Sequence, residues 1–201
     1  MVQANIILSH VTKYYGENPV LCDLNFTFQG GKSYCVMAPS GSGKTTLFKI
    51  IMGLEKPDGG AVSTISREGV SARISAVFQE DRLLPGYSAL ENIRFVTGKQ
   101  FSNEELRCLL SRLLPEDSLH KPVSEFSGGM KRRLSILRAL LVPSDILLMD
   151  EPFAGLDFET KQAAVRLILE LRAGRLLLLS THAAEDASLL GAEIFRLPSK
   201  R

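Results

Sequence analysis

The sequence is poor in cysteine, the residue on which small disulfide-rich secreted proteins and thiolate metal sites depend. It contains no tryptophan and only three cysteines among 201 residues. The cysteines, Cys22, Cys35 and Cys108, are odd in number and widely spaced, and they form no CxxC pair. This pattern argues against a disulfide framework and against a thiolate metal site. It favours a protein of a reducing compartment, the cytoplasm.

Long hydrophobic runs are lacking as well. The longest, such as Leu176–Leu179, are far shorter than the about 20 residues that a membrane-spanning helix needs. The opening stretch MVQANIILSH has no basic segment followed by a long apolar one, so it does not match a signal peptide. We therefore expect any action at a membrane to go through another subunit.

Neither sign of charge is in large excess. Lys and Arg number 24 against 22 Asp and Glu, which gives a formal net charge of +2. That excess is too small to indicate a nucleic acid or an anionic membrane as partner through charge alone. The basic residues that gather within Met130–Arg133 are interpreted as a solvated face.

Segments typical of strands and of helices alternate along most of the chain. This alternation predicts an α/β protein with a parallel sheet. Residues 80–141 contain no strand candidate, and we interpret them as a helical subdomain inserted into a core of 1–79 and 142–201. The strand candidates are Asn5–Val11, Leu24–Phe28, Lys32–Ala38, Ile74–Gln79, Asp145–Asp150 and Gly174–His182, and the helix candidates are Thr45–Leu54, Ala89–Leu114, Ser127–Leu141 and Glu159–Ala173.

The segment APSGSGKTT, Ala38–Thr46, lies between an apolar strand candidate and a helix candidate. In that context backbone N–H groups and the helix N-terminus face phosphate oxygens, Lys44 reaches the β- and γ-phosphates, and the Thr45 hydroxyl ligates Mg²⁺. The alternative is a glycine-rich turn followed by a helix. Ala38 occupies a position where phosphate-binding loops usually carry glycine, and we expect weaker or similar nucleotide binding, not its loss.

Two later strand candidates end in residues suited to phosphate chemistry. Asp150 and Glu151 follow a strand that is apolar throughout, at the edge where ligands of open α/β sheets bind. Asp150 can orient Mg²⁺ through water, and Glu151 can polarise an attacking water. His182 ends the next strand candidate and can contact the γ-phosphate. The alternatives are acidic residues that merely end a strand and a structural histidine.

The segment FSGGMKRR predicts a second anion site. Ser127, Gly128 and Gly129 open a helix candidate, where free N–H groups, a serine hydroxyl and the helix dipole favour an anion. A serine N-cap followed by two glycines is the alternative. The residues themselves do not explain why one chain would need two phosphate sites.

Taken together, these segments resemble the ATP-binding cassette (ABC) ATPases over nearly the whole chain. Ala38–Thr46 resembles Walker A, Phe126–Met130 the signature motif, Ile146–Glu151 Walker B and Ala154–Asp157 the D-loop. Their order and spacing match the family. The resemblance implies that ATP is bound by Tyr15, Ser40, Gly41, Ser42, Gly43, Lys44, Thr45, Thr46, Ser127, Gly128, Gly129 and Asp157, that Mg²⁺ is ligated by Thr45, Gln79 and Asp150, and that Lys44, Gln79, Glu151 and His182 act in catalysis.

The resemblance also implies a fold and a set of partners. The fold is a P-loop NTPase core with a mostly parallel sheet, N-terminal antiparallel β strands and an inserted helical subdomain. Tyr15 stacks on adenine, and Gln79 belongs to the Q-loop. Two copies pair head to tail, so that Ser127 of one closes on the γ-phosphate held by the other, which would explain the second anion site. Integral membrane permease subunits and an extracytoplasmic solute-binding protein are implied as partners, and nucleic acid is not; the place of action is the cytoplasmic side of the plasma membrane.

A finer resemblance is to the ATPase subunits of nitrate/sulfonate/taurine-type importers. It depends on VFQEDRLLP and on a signature that ends in methionine, although Gly86 replaces the usual tryptophan. Phe126 replaces the signature leucine. Ala183 replaces the aspartate that usually follows the family's switch histidine, which is His182 in this sequence. The alternatives are the ATPase subunit of an exporter, a cassette outside transport, and a nucleotide-binding module without catalysis.

Overall fold

The structure is a computed structural model, and it describes residues 4–66 and 69–198. Its strands and helices alternate along the chain. The strands are β1 (Asn5–Tyr15), β2 (Asn18–Phe28), β3 (Ser33–Met37), β4 (Gly59–Ile65), β5 (Ile74–Val77), β6 (Ile146–Asp150), β7 (Leu176–Ser180) and β8 (Glu193–Arg196). The helices are α1 (Lys44–Ile51), α2 (Ala89–Thr97), α3 (Asn103–Ser111), α4 (Gly128–Leu141), α5 (Phe158–Leu171) and α6 (Ala184–Leu189).

The chain divides into two compact units, of which the first holds the parallel sheet. This unit comprises the residues up to Ile74, Ser144–Asp150 and the residues from Gly174 onward. Within it β6, β7, β3 and β8 lie side by side in that order, with parallel register throughout. Every residue of β6 and of β7 is buried. Such continuous apolar strands are what a parallel sheet covered on both faces requires, so the predicted α/β class is confirmed.

A second, antiparallel sheet of order β2-β1-β4 lies in the same unit. β1 and β2 form a hairpin in which Tyr15 pairs with Asn18. The two-residue loop begins with Gly16, whose φ of 60° suits the first position of a tight hairpin turn. The predicted N-terminal antiparallel strands are confirmed. Two strands lie outside the predicted ones: β4, which opens with two glycines, and β8, which has only four residues.

The second unit comprises Ser75–Pro143 and Glu151–Ala173, and it holds α2 to α5. The single helical stretch expected over Ala89–Leu114 is two helices. Gly98, with a φ of 59°, ends α2, and Ser102 then begins α3 with a capping box that Glu105 completes. The signature helix expected from Ser127 is confirmed as α4, which Ser127 caps. The division into a core of 1–79 and 142–201 and a subdomain of 80–141 stays a prediction.

In the part of the chain that the structure describes, no helix combines the length and the apolar character needed to cross a bilayer.

Candidate functional site

The phosphate-binding loop of the first unit connects β3 to α1. Gly43 is the N-cap of α1 and supplies no side-chain hydrogen bond, so the first N–H groups of the helix lack a side-chain cap. The φ angles of Gly41 and Gly43 are 72° and 97°, a region that favours glycine. A Cβ at Gly43 would lie 2.7 Å from a methyl of Val20. The loop therefore needs glycine both for its backbone angles and for its packing on β2.

Lys44, the first residue of α1, is 6% exposed and folds back on the loop. Its Nζ donates hydrogen bonds to the backbone carbonyls of Ala38 at 2.8 Å and Pro39 at 3.2 Å. Ala38 thus contributes through its carbonyl oxygen, and its φ lies outside the left-handed region. Alanine in place of glycine imposes no backbone strain here, which is consistent with the expectation that nucleotide binding is not lost.

Ser42 lies in the same loop with an unsatisfied polar atom. Its Oγ is buried and has no hydrogen-bond partner among the described residues. Buried hydroxyls are nearly always paired, because an unpaired one loses its hydrogen bonds to water without replacement. Together with the uncapped helix N-terminus, this orphan hydroxyl fits a loop shaped around an anionic ligand.

Thr45 and Asp150 form the part of the site that suits a divalent cation. The Thr45 hydroxyl donates to Asp150 Oδ2 at 2.8 Å, and Ser180 donates to Asp150 Oδ1. Mg²⁺ prefers such oxygen ligands and completes its shell with water and phosphate oxygens. Within residues 4–66 and 69–198 no cluster of three or more His, Cys, Asp or Glu side chains can hold a metal by itself. The Thr45 hydroxyl and the Asp150 carboxylate would fit Mg²⁺ whose other ligands are water and phosphate oxygens.

His182 follows β7 and is exposed. Its Nε2 lies 3.4 Å from Lys44 Nζ, so the structure brings together the two residues predicted to contact the γ-phosphate. A pocket of about 420 Å³ opens beside His182 and Ala38. The backbone after His182 is held by Thr181, whose hydroxyl accepts from the Ala183 N–H and donates to Asp186. Ala183 itself is the N-cap of α6 and makes no side-chain cap hydrogen bond.

Tyr15, the residue predicted to stack on adenine, ends β1 and is 48% exposed. Its hydroxyl donates to both carboxylate oxygens of Glu55, at 2.7 and 2.8 Å. The hydroxyl also lies 3.5 Å from Thr46 Oγ1, in the first turn of α1. The ring is therefore held close to the phosphate-binding loop. Sequence reasoning missed Glu55, because nothing in its local pattern marks it.

Glu151 directly follows the last residue of β6 and has a strained backbone. Its φ of 48° lies in the left-handed region, which residues with a side chain rarely adopt. Its carbonyl accepts from the Ala154 N–H at 3.2 Å in the turn that leaves the strand. Strain of this kind costs about 1–3 kcal/mol and is concentrated at functional sites. Asp23, which lies outside the predicted site, has the same φ. The strain is thus consistent with the predicted catalytic role of Glu151 but is not specific to it.

The signature residues belong to the second unit. The Ser127 hydroxyl accepts a hydrogen bond from the Met130 N–H at 3.3 Å and caps α4. Phe126 is buried, as expected for an apolar replacement of leucine. Gly128 and Gly129 have ordinary φ angles. A Cβ at Gly128 would meet nothing within 4 Å. The fold of this chain therefore does not itself require glycine there, and the open space suits an external ligand.

Gln79 is exposed and follows β5 in the second unit. The carbonyls of Phe78 and Gln79 accept hydrogen bonds from the guanidinium of Arg132, the second at 2.7 Å. Arg132 is 8% exposed, so the interpretation of Met130–Arg133 as a solvated face is wrong for this residue. The signal was available: Arg132 lies one helical turn before Ser135 and Ile136, on the buried face of α4.

Asp157, predicted to contact nucleotide, is the N-cap of α5. Its carboxylate accepts from the Thr160 N–H at 2.9 Å and from the Thr160 hydroxyl at 2.8 Å. The pKa of Asp157 therefore lies below its usual range. The hydrogen bond from the Thr160 N–H is the largest cause, and that from the Thr160 hydroxyl is the next. In this structure the carboxylate stabilises a helix, and its contact with nucleotide stays a prediction.

The predicted site residues are thus divided between the two units. The first unit brings together the phosphate loop, Tyr15, Asp150 and His182. The second holds Gln79, Glu151, the signature residues and Asp157. The roles assigned to individual residues stay predictions.

Comparison with known proteins agrees with this geometry. The sequence pattern of the ABC transporter family matches residues 21–154. The chain is 36% identical to the taurine import ATP-binding protein TauB of Pseudomonas aeruginosa over 184 residues, covering 87% of this chain and 70% of that protein. It is also 36% identical over 203 residues to the Nod factor export ATP-binding protein I of Paraburkholderia xenovorans, covering 94% of this chain but 66% of that relative, just under two thirds.

A solved structure supports the same assignment. It is a bacterial ABC transporter cassette solved as a dimer, with a TM-score of 0.81, 32% sequence identity and coverage of 96% of this chain and 94% of that one. Fold, motif order and sequence identity agree along nearly the whole chain. The chain therefore belongs to the ABC transporter family.

Proposed function

We propose that this protein is the ATP-hydrolysing subunit of an ABC transporter. The observation that carries the proposal is the arrangement of Lys44, Thr45 and Asp150. A buried lysine and an uncapped helix N-terminus lie beside a hydroxyl that is hydrogen-bonded to a buried carboxylate. This combination binds a polyphosphate and its cation. ATP binds with its triphosphate on the loop and its base against Tyr15.

Catalysis needs a base and a group that stabilises the γ-phosphate. Glu151 orients and polarises the attacking water, while Lys44 and His182 stabilise the negative charge on the γ-phosphate. Mg²⁺, held by the Thr45 hydroxyl and the Asp150 carboxylate with Gln79 as a further oxygen donor, would neutralise charge on the phosphate oxygens. Glu151 directly follows Asp150, the last residue of β6, so its backbone lies at the carboxyl end of that strand.

The second anion site serves a partner copy in this proposal. Ser127 and Gly128 are exposed and the space around Gly128 is open, so the N-terminus of α4 is accessible to a phosphate bound by another protomer. A head-to-tail homodimer then completes two equivalent sites. Since each site forms only in the dimer, ATP binding and dimer closure are reciprocally linked. The similar cassette solved as a dimer supports this assembly.

The second unit carries an exposed apolar patch, which we call the aromatic patch: Leu84, Tyr87 and Phe95. These side chains are 43%, 45% and 60% exposed, and the rings of Tyr87 and Phe95 meet edge to face at 5.0 Å. Apolar groups gathered in this way mark an interaction site. We assign the aromatic patch to the docking of the membrane permease subunits, which places the protein at the cytoplasmic face of the plasma membrane.

We propose import, with an extracytoplasmic solute-binding protein delivering the solute to the permease. The similarity to a taurine import subunit supports this direction and a small sulfonate-like anionic solute. The similarity to a Nod factor export subunit makes export the second candidate. Deleting the gene and measuring uptake of labelled taurine and alkanesulfonates distinguishes the two, because only import predicts loss of uptake that the cloned gene restores.

The ATPase proposal is tested by the molar mass in solution of wild type and Glu151→Gln, measured by light scattering with and without MgATP. Glu151→Gln keeps the side-chain shape but removes the base, so ATP should persist and hold the dimer closed. Ser127→Arg in the Glu151→Gln background should abolish this dimer, because the longer cationic side chain occupies the anion site. Ser124→Arg is the matched control: Ser124 is also exposed, precedes α4 and is not part of the signature.

Conversion of monomer to dimer by ATP, lost in Ser127→Arg and kept in Ser124→Arg, supports the composite site. If Glu151→Gln binds ATP and stays monomeric even with the permease present, the composite site is wrong. If Glu151→Gln binds no ATP, the ATPase proposal fails. Ala38→Gly is then the first substitution to make.

A further inference from the structure

Tyr15 is fixed by its polar end rather than by the packing of its ring. The ring is about half exposed, whereas the hydroxyl donates to both oxygens of Glu55 within 2.8 Å. Glu55 lies between α1 and β4, and its side chain is only 20% exposed. A phenol that shares its hydrogen between two oxygens of an ionised carboxylate makes a stronger contact than a neutral hydrogen bond. Glu55 therefore restricts the orientation of a ring that packing alone would leave free.

Glu55 is in turn held by a second charged residue. Lys13 Nζ lies 3.4 Å from Glu55 Oε1 and 3.2 Å from Asp58 Oδ1, and its side chain is only 12% exposed. The ammonium also lies 5.7 Å from the centre of the Tyr15 ring, within the range of a cation–π contact. Asp58 is anchored by the Tyr14 N–H at 2.7 Å. The carboxylate that receives the Tyr15 hydroxyl is thus itself fixed in position.

The hydroxyl of Tyr15 remains a hydrogen-bond donor at neutral pH. The contact with Thr46 lowers the pKa of the phenol, but desolvation and the hydrogen bond and negative charge of Glu55 raise it by more. The net pKa therefore lies above its ordinary value. Tyr15 therefore stays neutral and donates its hydroxyl hydrogen to the Glu55 carboxylate.

We propose that Glu55 is a positioning residue for nucleotide binding, which holds the Tyr15 ring in the orientation that stacks on the base. The inference depends on the proposed function, in which Tyr15 contacts the base of ATP. A ring that is already oriented loses less conformational freedom when the base binds, so the affinity is higher. Because Glu55 acts through the ring face, and every base has such a face, its contribution does not depend on which purine is bound.

The test measures equilibrium binding of MgATP, MgGTP and inorganic tripolyphosphate to the full chain. Tripolyphosphate occupies the phosphate loop without a base, so it reports damage to the loop. Glu55→Ala should weaken ATP and GTP binding by the same factor, about 3- to 10-fold for one charge-assisted hydrogen bond, and leave tripolyphosphate binding unchanged. Glu55→Gln keeps an acceptor oxygen and should lose about twofold or less. Glu17→Ala, which removes an exposed carboxylate from the neighbouring hairpin loop, is the matched control and should bind all three ligands like wild type.

A double-mutant cycle isolates the contact. Tyr15→Phe keeps the ring but loses the hydroxyl, so it should weaken ATP binding as Glu55→Ala does, and the double variant should be no weaker than either single one. Tyr15→Ala removes the ring and measures the contribution of stacking. The unfolding midpoint of each variant shows that the protein is folded.

Each contrary outcome overturns the inference in a different way. If Tyr15→Ala binds ATP like wild type, the base contact in the proposed function fails and the role of Glu55 fails with it. If Tyr15→Ala weakens ATP binding and Glu55→Ala does not, the proposed function stands and the positioning role is wrong. If Glu55→Ala weakens tripolyphosphate as much as ATP, Glu55 acts on the loop. If it weakens ATP but not GTP, Glu55 contacts adenine directly.

Discussion

Thr45 donates its hydroxyl hydrogen to Asp150 across 105 positions of sequence, at 2.8 Å. Thr45 is the second residue of α1 and Asp150 the last residue of β6, and these two elements contact each other in the first unit. The hydrogen bond places a hydroxyl and a carboxylate beside a helix N-terminus. A small oxygen-liganded cation and a polyphosphate can therefore be bound at one location.

Removing the Thr45 hydroxyl should impair the use of Mg²⁺ more than the folding of the protein. Thr45→Val keeps the shape of the side chain and should raise the Mg²⁺ concentration for half-maximal ATP hydrolysis by about 10- to 100-fold, the usual effect of losing a group in or next to a metal shell. Thr45→Ser keeps the hydroxyl and should behave like wild type. Equal Mg²⁺ requirements for Thr45→Val and wild type would contradict the assignment. The measurement is a steady-state ATPase titration with Mg²⁺.

Two glycines of the predicted site should respond to alanine in opposite ways. At Gly43 a Cβ would lie 2.7 Å from Val20 at a φ of 97°, so Gly43→Ala should lower the free energy of unfolding by about 2 kcal/mol or more. At Gly128 the space is open and the backbone helical, so Gly128→Ala should be neutral or stabilising by up to about 1 kcal/mol.

Gly128→Ala should nevertheless weaken the ATP-dependent dimer of Glu151→Gln, because in the proposed dimer the added methyl would face the phosphate bound by the partner. Urea unfolding measures the stability of both variants, and light scattering measures the dimer. A stable Gly128→Ala variant that dimerises fully would show that this glycine is not needed by an external ligand.

Arg132 should be required for the stability of the segment that carries Gln79. Arg132→Ala removes two charge-assisted hydrogen bonds from a nearly buried guanidinium and should lower the free energy of unfolding by about 2–3 kcal/mol. Arg132→Lys should fall between alanine and wild type, because one ammonium does not reproduce the two-pronged guanidinium. Lys131→Ala, its neighbour on α4, should change stability by less than about 0.5 kcal/mol. If Arg132→Ala proves as mild as Lys131→Ala, the two carbonyl contacts are not stabilising.

Cys35 should resist alkylation in the folded protein. Burial in β3, with a smaller effect of Asp186, raises the pKa of its thiol from 9.0 to about 12. The thiolate fraction at pH 8 is then roughly 1000-fold lower than for an unperturbed thiol. Iodoacetamide followed by mass spectrometry should modify the exposed Cys22 and Cys108 first and Cys35 only in urea.

The sign of the pH dependence follows from the raised pKa of Cys35. The folded value lies above the unfolded one, so the contribution of Cys35 to stability is complete below about pH 9 and is lost as the pH rises toward 12. Cys35→Ala should therefore show a smaller loss of stability between pH 8 and about pH 10.5 than wild type. Equal losses, or rapid labelling of native Cys35 at pH 8, would contradict its burial.

The elements that the sequence predicted best are those whose signal is local. The buried strands β6 and β7, each apolar up to its last residue, and the serine-capped helix α4 follow from hydrophobic runs and cap residues. The break between α2 and α3 was missed because a capping box at Ser102 lies inside a continuous helical pattern. β4 was missed because its two glycines and its exposed residues carry little strand signal.

Side-chain contacts over long sequence separations could not be predicted in the same way. Glu55 and Arg132 are ordinary charged residues in sequence, and their importance depends on what lies opposite them. The hydrogen bonds of Glu55 to Tyr15 and of Arg132 to Gln79 span 40 and 53 positions.

The sequence by itself determined the α/β class, the phosphate-binding loop and the order of the motifs, because strand hydrophobicity, glycine placement and helix caps act within a few residues. Tertiary structure alone decided that β6, β7, β3 and β8 are neighbours in that order. That order brings Asp150 to Thr45 and His182 to Lys44. The physical reason is that side-chain hydrogen bonds form within about 3.5 Å, a distance that depends on how the strands pair and not on their spacing along the chain.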